Sequence, residues 1–329
     1  MKKSMLIISL LLSSLMTFQA YAIDGTYIKS DFKKIEYVTR CHQTENQKKI
    51  FQVGFKALSA VTSELKGSLF PAGNSKDTIL AEMQIATTNR NRLNHFLSYI
   101  DSWVATMQDG NSSTLDLTEK AYSPRGYLVF LGGAKNFGAF KSIGASANLA
   151  VIIVPQCRTV WDKETGKIIE ETLLSDASNF DFEIAINPAI GAGKKKGMSI
   201  GQSRFGVGLI FDPNHKLHAA KDFFGIGAAV SRANVLGNLA IAGKYFKSGT
   251  IINKYANYFP FVMAGKAMGV GVSQVTNWGG VSFLNITTLA NVILNLTQSE
   301  AAKMQNDVRE EFKKSLIELQ EQQNKTNAK

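Results

Sequence analysis

Three Gly-x-Gly stretches are the first candidates for chemistry in this sequence. They read GVGLIF (206–211), GIGAAV (225–230) and GVGVSQ (269–274). A phosphate-binding glycine loop lies between a strand and a helix whose N-terminus faces the anion. Each stretch here is followed by further strand-like residues, and the sequence contains neither GxGxxG nor a GxxxxGK loop. The three stretches therefore argue against a nucleotide site, and we expect no cofactor.

A strand with glycine at alternate positions explains these residues better. Phe205, Val207 and Leu209 share one face, and the glycines between them leave the other face bare. A bare face lets another backbone, a helix or an acyl chain approach closely. Two interpretations remain, tight curvature of a small barrel and binding of a ligand. The second makes these residues the candidate ligand contacts: Gly206, Gly208, Gly225, Gly227, Gly269 and Gly271.

One basic turn is a further candidate for binding. Lys194, Lys195 and Lys196 precede Gly197 and could contact the phosphates of lipid or nucleic acid, although a solvated turn is the commoner use of such a cluster. Nucleic-acid binding is disfavoured, because it would use exposed aromatic residues interleaved with the basic ones. An anionic lipid or an envelope polymer is the expected partner.

The histidines give little support for a metal or for catalysis. His215 and His218 are three residues apart, which would suit two ligands on one helical turn. They follow the turn-like DPN (212–214) and lack a second cluster of ligands, so we expect an exposed loop and no metal site. The sequence has no GxSxG motif. A periplasmic hydrolase with a site assembled from distant residues stays an alternative, but a non-enzymatic protein is favoured.

The two cysteines predict a disulfide. Cys41 and Cys157 are the whole cysteine content, and in an oxidising compartment such a pair can join. The alternative is two separately buried thiols.

The N-terminus predicts export. Residues 1–22 combine Lys2 and Lys3, the apolar run MLIISLLLSSLMTF (5–18) and the cleavage-like AYA (20–22), the pattern of a secretory signal peptide. Later apolar runs are shorter than the 18 to 20 residues, roughly, of a spanning helix. The expected location is the periplasm or the periplasmic face of the outer membrane.

The elements that must position these residues follow from the periodicity. Residues 23–120 are interpreted as a helical segment that packs on a sheet, with apolar stripes at steps of three and four. The two stripes consist of Phe51, Phe55, Leu58, Val61 and Leu65, and of Leu93, Phe96, Leu97, Ile100, Trp103, Val104 and Met107. Residues 121–288 alternate with period two, as over 142–155, and predict a glycine-rich antiparallel β-domain with one sheet, curved or barrel-like, and a hairpin turn at DKETGK (162–167). Residues 289–329 predict an amphipathic helix and a polar tail, with one apolar face formed by Leu289, Val292, Ile293, Leu296, Met304, Val308, Phe312, Leu316 and Leu319. The fold class is α+β.

Three stretches resemble the SYLF lipid-binding domain family. They are RGYLVFLGGAKNFG (125–138), GLIFDPNHKLHAAKDFFGIGAAV (208–230) and SQVTNWGGVSFLN (273–285). The chain departs from that pattern in its helical N-terminal part, its hairpin at 156–181 and its charged C-terminal helix. The resemblance implies a lipid-associated, β-rich domain without known catalytic residues.

Charge and patterning together favour an envelope protein. The formal net charge is +11, which attracts a protein to anionic lipid head groups or acidic polymers. The favoured function is a secreted, non-enzymatic bacterial envelope protein that associates with lipid or the envelope, with a possible protein partner at the C-terminal helix. An integral outer-membrane β-barrel is the second alternative, against which the helical first third and the charged C-terminal helix stand.

Overall fold

A computed structural model describes residues 25–327, apart from 32, 63–64, 66–68, 71–75, 110–123, 139, 177–178 and 238–242. The predicted signal peptide lies outside these residues. The chain forms two units, one of residues 1–40 and 157–172 and the other of residues 41–156 and 173–329.

The described strands and helices agree with the predicted α+β class. The strands are β1 (Gly25–Ser30), β2 (Lys34–Thr39), β3 (Gly126–Phe137), β4 (Lys141–Pro155), β5 (Cys157–Asp162), β6 (Ile168–Leu173), β7 (Phe180–Ile210), β8 (Gly225–Gly237), β9 (Gly243–Asn253) and β10 (Tyr258–Asn285). The helices are α1 (Thr44–Val61), α2 (Lys76–Thr88), α3 (Arg90–Asp109), α4 (Ile286–Leu289) and α5 (Gln298–Asn327), with a 3-10 turn at Ala220–Phe223 and a π-helical turn at Ala290–Leu294.

The smaller unit contains a sheet in the order β1-β2-β5-β6. The prediction that the helical segment begins at residue 23 is therefore wrong for β1 and β2, and the described residues form two sheets rather than one. The reason is that β2 pairs along its whole length with β5, from Lys34 opposite Asp162 to Thr39 opposite Cys157. A partner that distant in sequence leaves no trace in local periodicity. The predicted turn between β5 and β6 is confirmed, with Gly166 at a φ of 65°.

The larger unit is organised by two long antiparallel strands. β7 and β10 pair with each other from Phe261 opposite Ile210 to Asn285 opposite Ala185. The first half of β7 pairs with β4 and the second half with β3, while β3 and β4 pair with each other. On the other side β10 pairs in the same way with β9 and β8, which also pair together. The sheet thus closes on itself, and the predicted barrel-like architecture is confirmed.

The barrel interior is apolar toward the end where β7 finishes. Phe223, from the 3-10 turn, lies with its ring centroid 4.7 Å from that of Phe283 and 6.0 Å from that of Phe261. The side chains around them are fully buried and come from the inward faces of β3, β4, β8, β9 and β10. This aromatic cluster closes one end of the barrel.

Helices cover part of the outer face of the barrel. Phe96 of α3 meets Phe205 at 5.9 Å between ring centroids, and Phe312 of α5 stacks on Phe182 at 4.2 Å. Burial confirms the predicted stripes at Phe51, Phe55, Leu58, Val61, Leu65, Leu93, Phe96, Leu97 and Ile100. The side chains of Trp103, Val104 and Met107 lie outside those that the structure describes.

The C-terminal helix differs from its predicted extent. α5 begins at Gln298 rather than residue 289, because the chain first makes a π-helical turn and then takes a left-handed conformation at Asn295. Val292, placed on the apolar stripe by periodicity, is therefore 82% exposed. The stripe of α5 itself is buried within its own unit through Met304, Val308, Phe312 and Leu316. A partner of this helix would have to use another face.

The bare faces of the glycine-rich strands lie against neighbouring backbone. A Cβ on Gly206 would lie 2.1 Å from the carbonyl oxygen of Ala264, and one on Gly227 would lie 1.9 Å from that of Thr250. Both distances are below any normal contact, so these glycines permit the close, coiled approach of adjacent strands. The structure thus supplies a steric reason for the repeated Gly-x-Gly pattern.

A pair of adjacent glycines on opposite faces of β10 tests this reason. A Cβ on Gly279 would lie 2.0 Å from the Ile190 carbonyl oxygen, whereas one on Gly280 would meet nothing within 4 Å. We expect Gly279→Ala to lower the free energy of unfolding by about 1–3 kcal/mol through overpacking. Gly280→Ala is the matched control and should change it little. Chemical denaturation of both variants checks the prediction, and equal effects of the two substitutions would contradict it.

Candidate functional site

The barrel interior becomes small and polar toward the end opposite the aromatic cluster. One inward-facing row crosses five strands as Asn136, Gly144, Gly191, Gly279 and Ala229, each opposite the next. Three glycines in this row leave a cavity of about 30 Å³, which we call the lumen cavity. Several of its inward-facing lining residues are partly exposed, so water reaches it from this end: Ser146, Ala189, Gly191, Ala229, Ser231 and Gly279.

Two buried cations line the lumen cavity. Lys247 and Arg204 are 3% and 4% exposed, and both belong to the lining. Lys247 Nζ donates to Asn187 Oδ1 at 2.8 Å, and Arg204 Nε donates to Gln202 Oε1 at 3.1 Å. The Arg204 guanidinium also lies 4.5 Å from the ring centroid of Tyr245. Among the described residues, the partners of both cations are therefore neutral groups, amides and the phenol of Tyr245, and not carboxylates.

Amide side chains complete the polar lining. Asn277 Nδ2 donates to Asn136 Oδ1 at 2.8 Å, and Ser142 Oγ donates to Asn277 Oδ1 at 2.8 Å. A Cβ at Gly144 would lie 2.2 Å from Asn136 Oδ1, so this glycine makes room for the amide pair. Asn136 Nδ2 is buried and has no hydrogen-bond partner among the described residues. The network leaves an N–H donor unused beside the cavity.

The interior perturbs the protonation of these groups. Burial, together with the neighbouring charge of Arg204, lowers the pKa of Lys247 to about 7. Burial also lowers the pKa of the Arg204 guanidinium, and it raises the pKa of Tyr245. No acidic residue is among the causes of these three shifts. The lumen cavity is thus an electropositive site whose charge changes near neutral pH.

The outer surface of the same end carries exposed apolar side chains. An outward-facing row, which we call the apolar row, crosses five strands as Phe137, Ile143, Ala192, Trp278 and Val230. Phe137 and Ile143 are each 67% exposed and Trp278 is 49% exposed. Single exposed apolar residues are normal, but a contiguous row marks a surface that interacts with something.

A basic row runs beside the apolar row. Lys141, Lys194, Thr276 and Arg232 lie opposite one another on β4, β7, β10 and β8, two residues or about 7 Å further along each strand. All three cations are exposed. The six strands of the larger sheet hold ten Lys and Arg residues but only two acids, Asp181 and Glu183. Both acids lie near the start of β7, where Asp181 is opposite Val154 of the buried cluster around Phe223, and so at the end away from the basic row.

An apolar groove of about 390 Å³ adjoins these rows. Leu69, Pro188, Ile190 and Ile293 contribute its larger side chains, with Lys135 at its margin. Ile190 is 70% exposed and lies opposite Gly280, which is two residues after Trp278 and therefore on the same face of β10. The groove is therefore continuous with the exposed apolar surface.

The residues singled out from the sequence lie in different places. The six glycines of the Gly-x-Gly stretches lie on strands β7, β8 and β10 and do not line the lumen cavity, so their role as ligand contacts stays a prediction. Lys194 and Lys196 are exposed, whereas Lys195 points inward and donates to the carbonyl oxygens of Asn136 and Ser199. The lysine cluster therefore belongs to a strand, not to a turn as predicted, because β7 continues through it opposite β10.

The histidine loop and the cysteines are also located. His215 and His218 are exposed and lie in the loop between β7 and the 3-10 turn, as expected. Within the described ranges, no group of three His, Cys, Asp or Glu residues is arranged to hold a metal. Cys41 and Cys157 are disulfide-bonded, which confirms the predicted pair.

Sequence reasoning missed the two cations of the lumen cavity. Arg204 shares a strand face with Gly206 and Gly208, and Lys247 shares one with Gly249 and Ile251. A long cation on the same face as glycines and buried apolar residues is the signal that was available. Their approach to each other depends on strand pairing that no local pattern specifies.

Comparison with known proteins finds no matching family model, curated protein or solved structure. The resemblance to the SYLF family therefore stays a prediction. Among the described helices, none has the length and apolar content to cross a membrane.

The lowered pKa of Lys247 predicts a pH dependence of stability. Between about pH 7 and pH 10 the unfolded lysine holds a proton that the folded one lacks, so unfolding takes up a proton and the free energy of unfolding rises with pH. The slope from this group is at most about 1.4 kcal/mol per pH unit. Lys247→Met should flatten the profile between pH 7.5 and 9.5, roughly, and raise stability at neutral pH.

Urea denaturation at several pH values, in buffers with bulky anions, measures this difference. Lys194→Met, at an exposed position, is the control and should keep the wild-type slope. If the free energy of unfolding changed with pH equally in the wild type and in Lys247→Met, Lys247 would keep its proton in the folded protein, and the prediction would be contradicted.

Proposed function

We propose that this chain is an exported, non-enzymatic envelope protein that binds the surface of an anionic lipid membrane. The observation that carries the proposal is the apolar row beside the basic row on one outer face of the barrel. The predicted export and the lipid association implied by the SYLF resemblance agree with it.

The apolar row supplies groups suited to a membrane interface. Trp278 and Phe137 are aromatic and exposed, and because aromatic side chains have few rotatable bonds, little side-chain entropy is lost when they enter the headgroup region. Phe140, next to the first lysine of the basic row, is 86% exposed. The apolar groove continues this surface and offers a place for part of an acyl chain.

The basic row supplies attraction to anionic head groups. Each Lys or Arg near an anionic surface contributes about 1 kcal/mol. Lys141, Lys194 and Arg232 lie on strands whose only acids are Asp181 and Glu183, toward the other end of β7. Attraction to the membrane is therefore not offset by carboxylates of these strands. This asymmetry orients the barrel with this face toward lipid.

The disulfide supports the exported location. Paired cysteines persist in oxidising compartments and are rare in the reducing cytosol. A disulfide between Cys41 and Cys157 is compatible with the periplasm or the periplasmic face of the outer membrane.

Vesicle flotation tests the role of the basic row. The triple variant Lys141→Gln, Lys194→Gln and Arg232→Gln should bind vesicles containing phosphatidylglycerol roughly a hundredfold more weakly than the wild type, since three contacts of about 1 kcal/mol are lost. Vesicles of phosphatidylcholine alone should bind both proteins weakly.

A control variant that loses the same charge elsewhere tests whether binding depends on the position of the basic residues or only on the net charge of the protein. Lys216→Gln, Lys221→Gln and Lys254→Gln remove three exposed lysines near the end of the barrel closed by the aromatic cluster. This control should keep most of the wild-type binding. Equal losses in the two triple variants would reject the oriented face, and wild-type binding to an acidic envelope polymer but not to vesicles would reject lipid as the partner.

Trp278 provides a spectroscopic test of contact. The chain has three tryptophans, so the emission of Trp278 is obtained as the difference between the wild type and Trp278→Phe. We expect this emission to shift to shorter wavelength when anionic vesicles are added, because the half-exposed indole leaves water. Trp161→Phe should keep the vesicle-induced shift. An unchanged Trp278 emission in samples that float would place the contact elsewhere.

A further inference from the structure

The lumen cavity has features that the lipid-binding face does not use. Lys247 and Arg204 point inward, on the opposite side of the strand wall from the apolar and basic rows. Burying a cation away from water costs several kcal/mol unless a partner compensates it. Among the described residues the polar partners of these two cations are neutral amides and, for Arg204, the phenol of Tyr245, all of which compensate a charge only in part.

Around the cavity, buried amide donors without a partner outnumber such acceptors: among the described residues Asn136 Nδ2 and Gln202 Nε2 have no hydrogen-bond partner, and one amide oxygen, Asn148 Oδ1, also has none. Asn187 Oδ1 already accepts from both Lys247 Nζ, at 2.8 Å, and Asn148 Nδ2, at 3.1 Å. Asn136 Nδ2 faces the lining without a partner and is 94% buried, because Asn136 is 6% exposed. Buried donors of this kind are normally satisfied. A negatively charged acceptor placed in the cavity would satisfy the ammonium, the guanidinium and the amide together.

We propose that the lumen cavity is a binding site for one small monovalent anion, a halide or a carboxylate group, held by Lys247, Arg204 and Asn136. This proposal is independent of the proposed lipid-binding function, because it concerns the inward face of the same strands. Charge-assisted hydrogen bonds from an ammonium and a guanidinium to an anion are about twice as strong as neutral ones.

The size of the cavity sets the class of anion. By the same measure a single water needs about 10–15 Å³, so a cavity of about 30 Å³ holds a group of roughly two water-sized units. Chloride, bromide and formate fit this limit, and sulfate and phosphate exceed it. The partly exposed residues at the mouth, such as Ser146 and Ala229, provide the entry path.

Anomalous diffraction from crystals of the exported chain soaked in sodium bromide tests the site directly. We expect a bromide peak between Lys247 Nζ and the Arg204 guanidinium. A matching measurement in solution is the rise in melting temperature with sodium formate, at ionic strength held constant with sodium gluconate, whose anion is too large for the cavity.

Variants assign the effect to the named residues. Lys247→Met should weaken formate binding at least tenfold, roughly, and abolish the bromide peak, because an apolar side chain of similar length replaces the ammonium. Lys194→Met is the control, since Lys194 lies on the same sheet but is exposed on its outer face and outside the cavity lining. It should keep the wild-type affinity.

The wild type alone also gives a decisive pH test. Because the anion binds the protonated form of Lys247, affinity should fall as pH rises above about 7, by as much as tenfold per pH unit. The other charged or titratable groups on the inward side are Lys195, which donates to the Asn136 carbonyl oxygen, Arg204, which keeps its charge, and Tyr245, whose raised pKa keeps it neutral in this range. Absence of the bromide peak together with equal stabilisation by formate and gluconate would overturn the proposal, whatever the vesicle experiments show. Equal formate affinity in wild type and Lys247→Met would also overturn it.

Discussion

The continuous pairing of β7 with β10 is the constraint on which the rest of the larger unit depends. Each of these strands serves two neighbours in succession, so the sheet must bend sharply and close. Close approach at the bend is possible because side chains are missing at points such as Gly206, opposite Gly265. Gly271, at a φ of 90°, lies at the register shift of β10. The glycines therefore allow the barrel to close, and the lumen cavity results from the same absence of side chains.

Closure also fixes what each face of a strand can do. Successive side chains point to opposite faces, so one strand supplies both the interior and the outer surface. Lys194, Lys195 and Lys196 show this directly, since the outer two are exposed and the middle one is buried. A run of three lysines that looks like one charged turn in the sequence is thus divided between the exposed outer face of the barrel and hydrogen bonds in its interior. The same alternation separates Trp278, which faces outward, from Asn277 and Gly279, which face the lumen cavity.

The parts that the sequence predicts are those with local signals. Period-two alternation predicts β4 almost to the residue, the DKETGK turn is confirmed at Gly166, and the stripes through Phe55 and Phe96 predict two helices and their buried faces. The parts that it misses depend on partners far along the chain. β2 reads as part of a helical segment because its partner β5 lies more than one hundred residues away. Arg204 and Lys247 come together only through the register of several strands, and neither stands in a recognisable motif.

The cost of burying Lys247 and Arg204 in the barrel interior indicates that these two cations have a role other than stabilising the fold. The aromatic cluster around Phe223 shows that this barrel can fill its interior with apolar side chains at one end. At the other end, Lys247 and Arg204 occupy inward positions where Met or Leu would be compatible with the adjacent apolar core, and burial lowers the pKa of both. A lowered pKa of a base means that its charged form is less stable in the fold than in water. The positions therefore cost stability when the lumen cavity is empty, and an anion that restores the charged state of Lys247 would recover part of that cost.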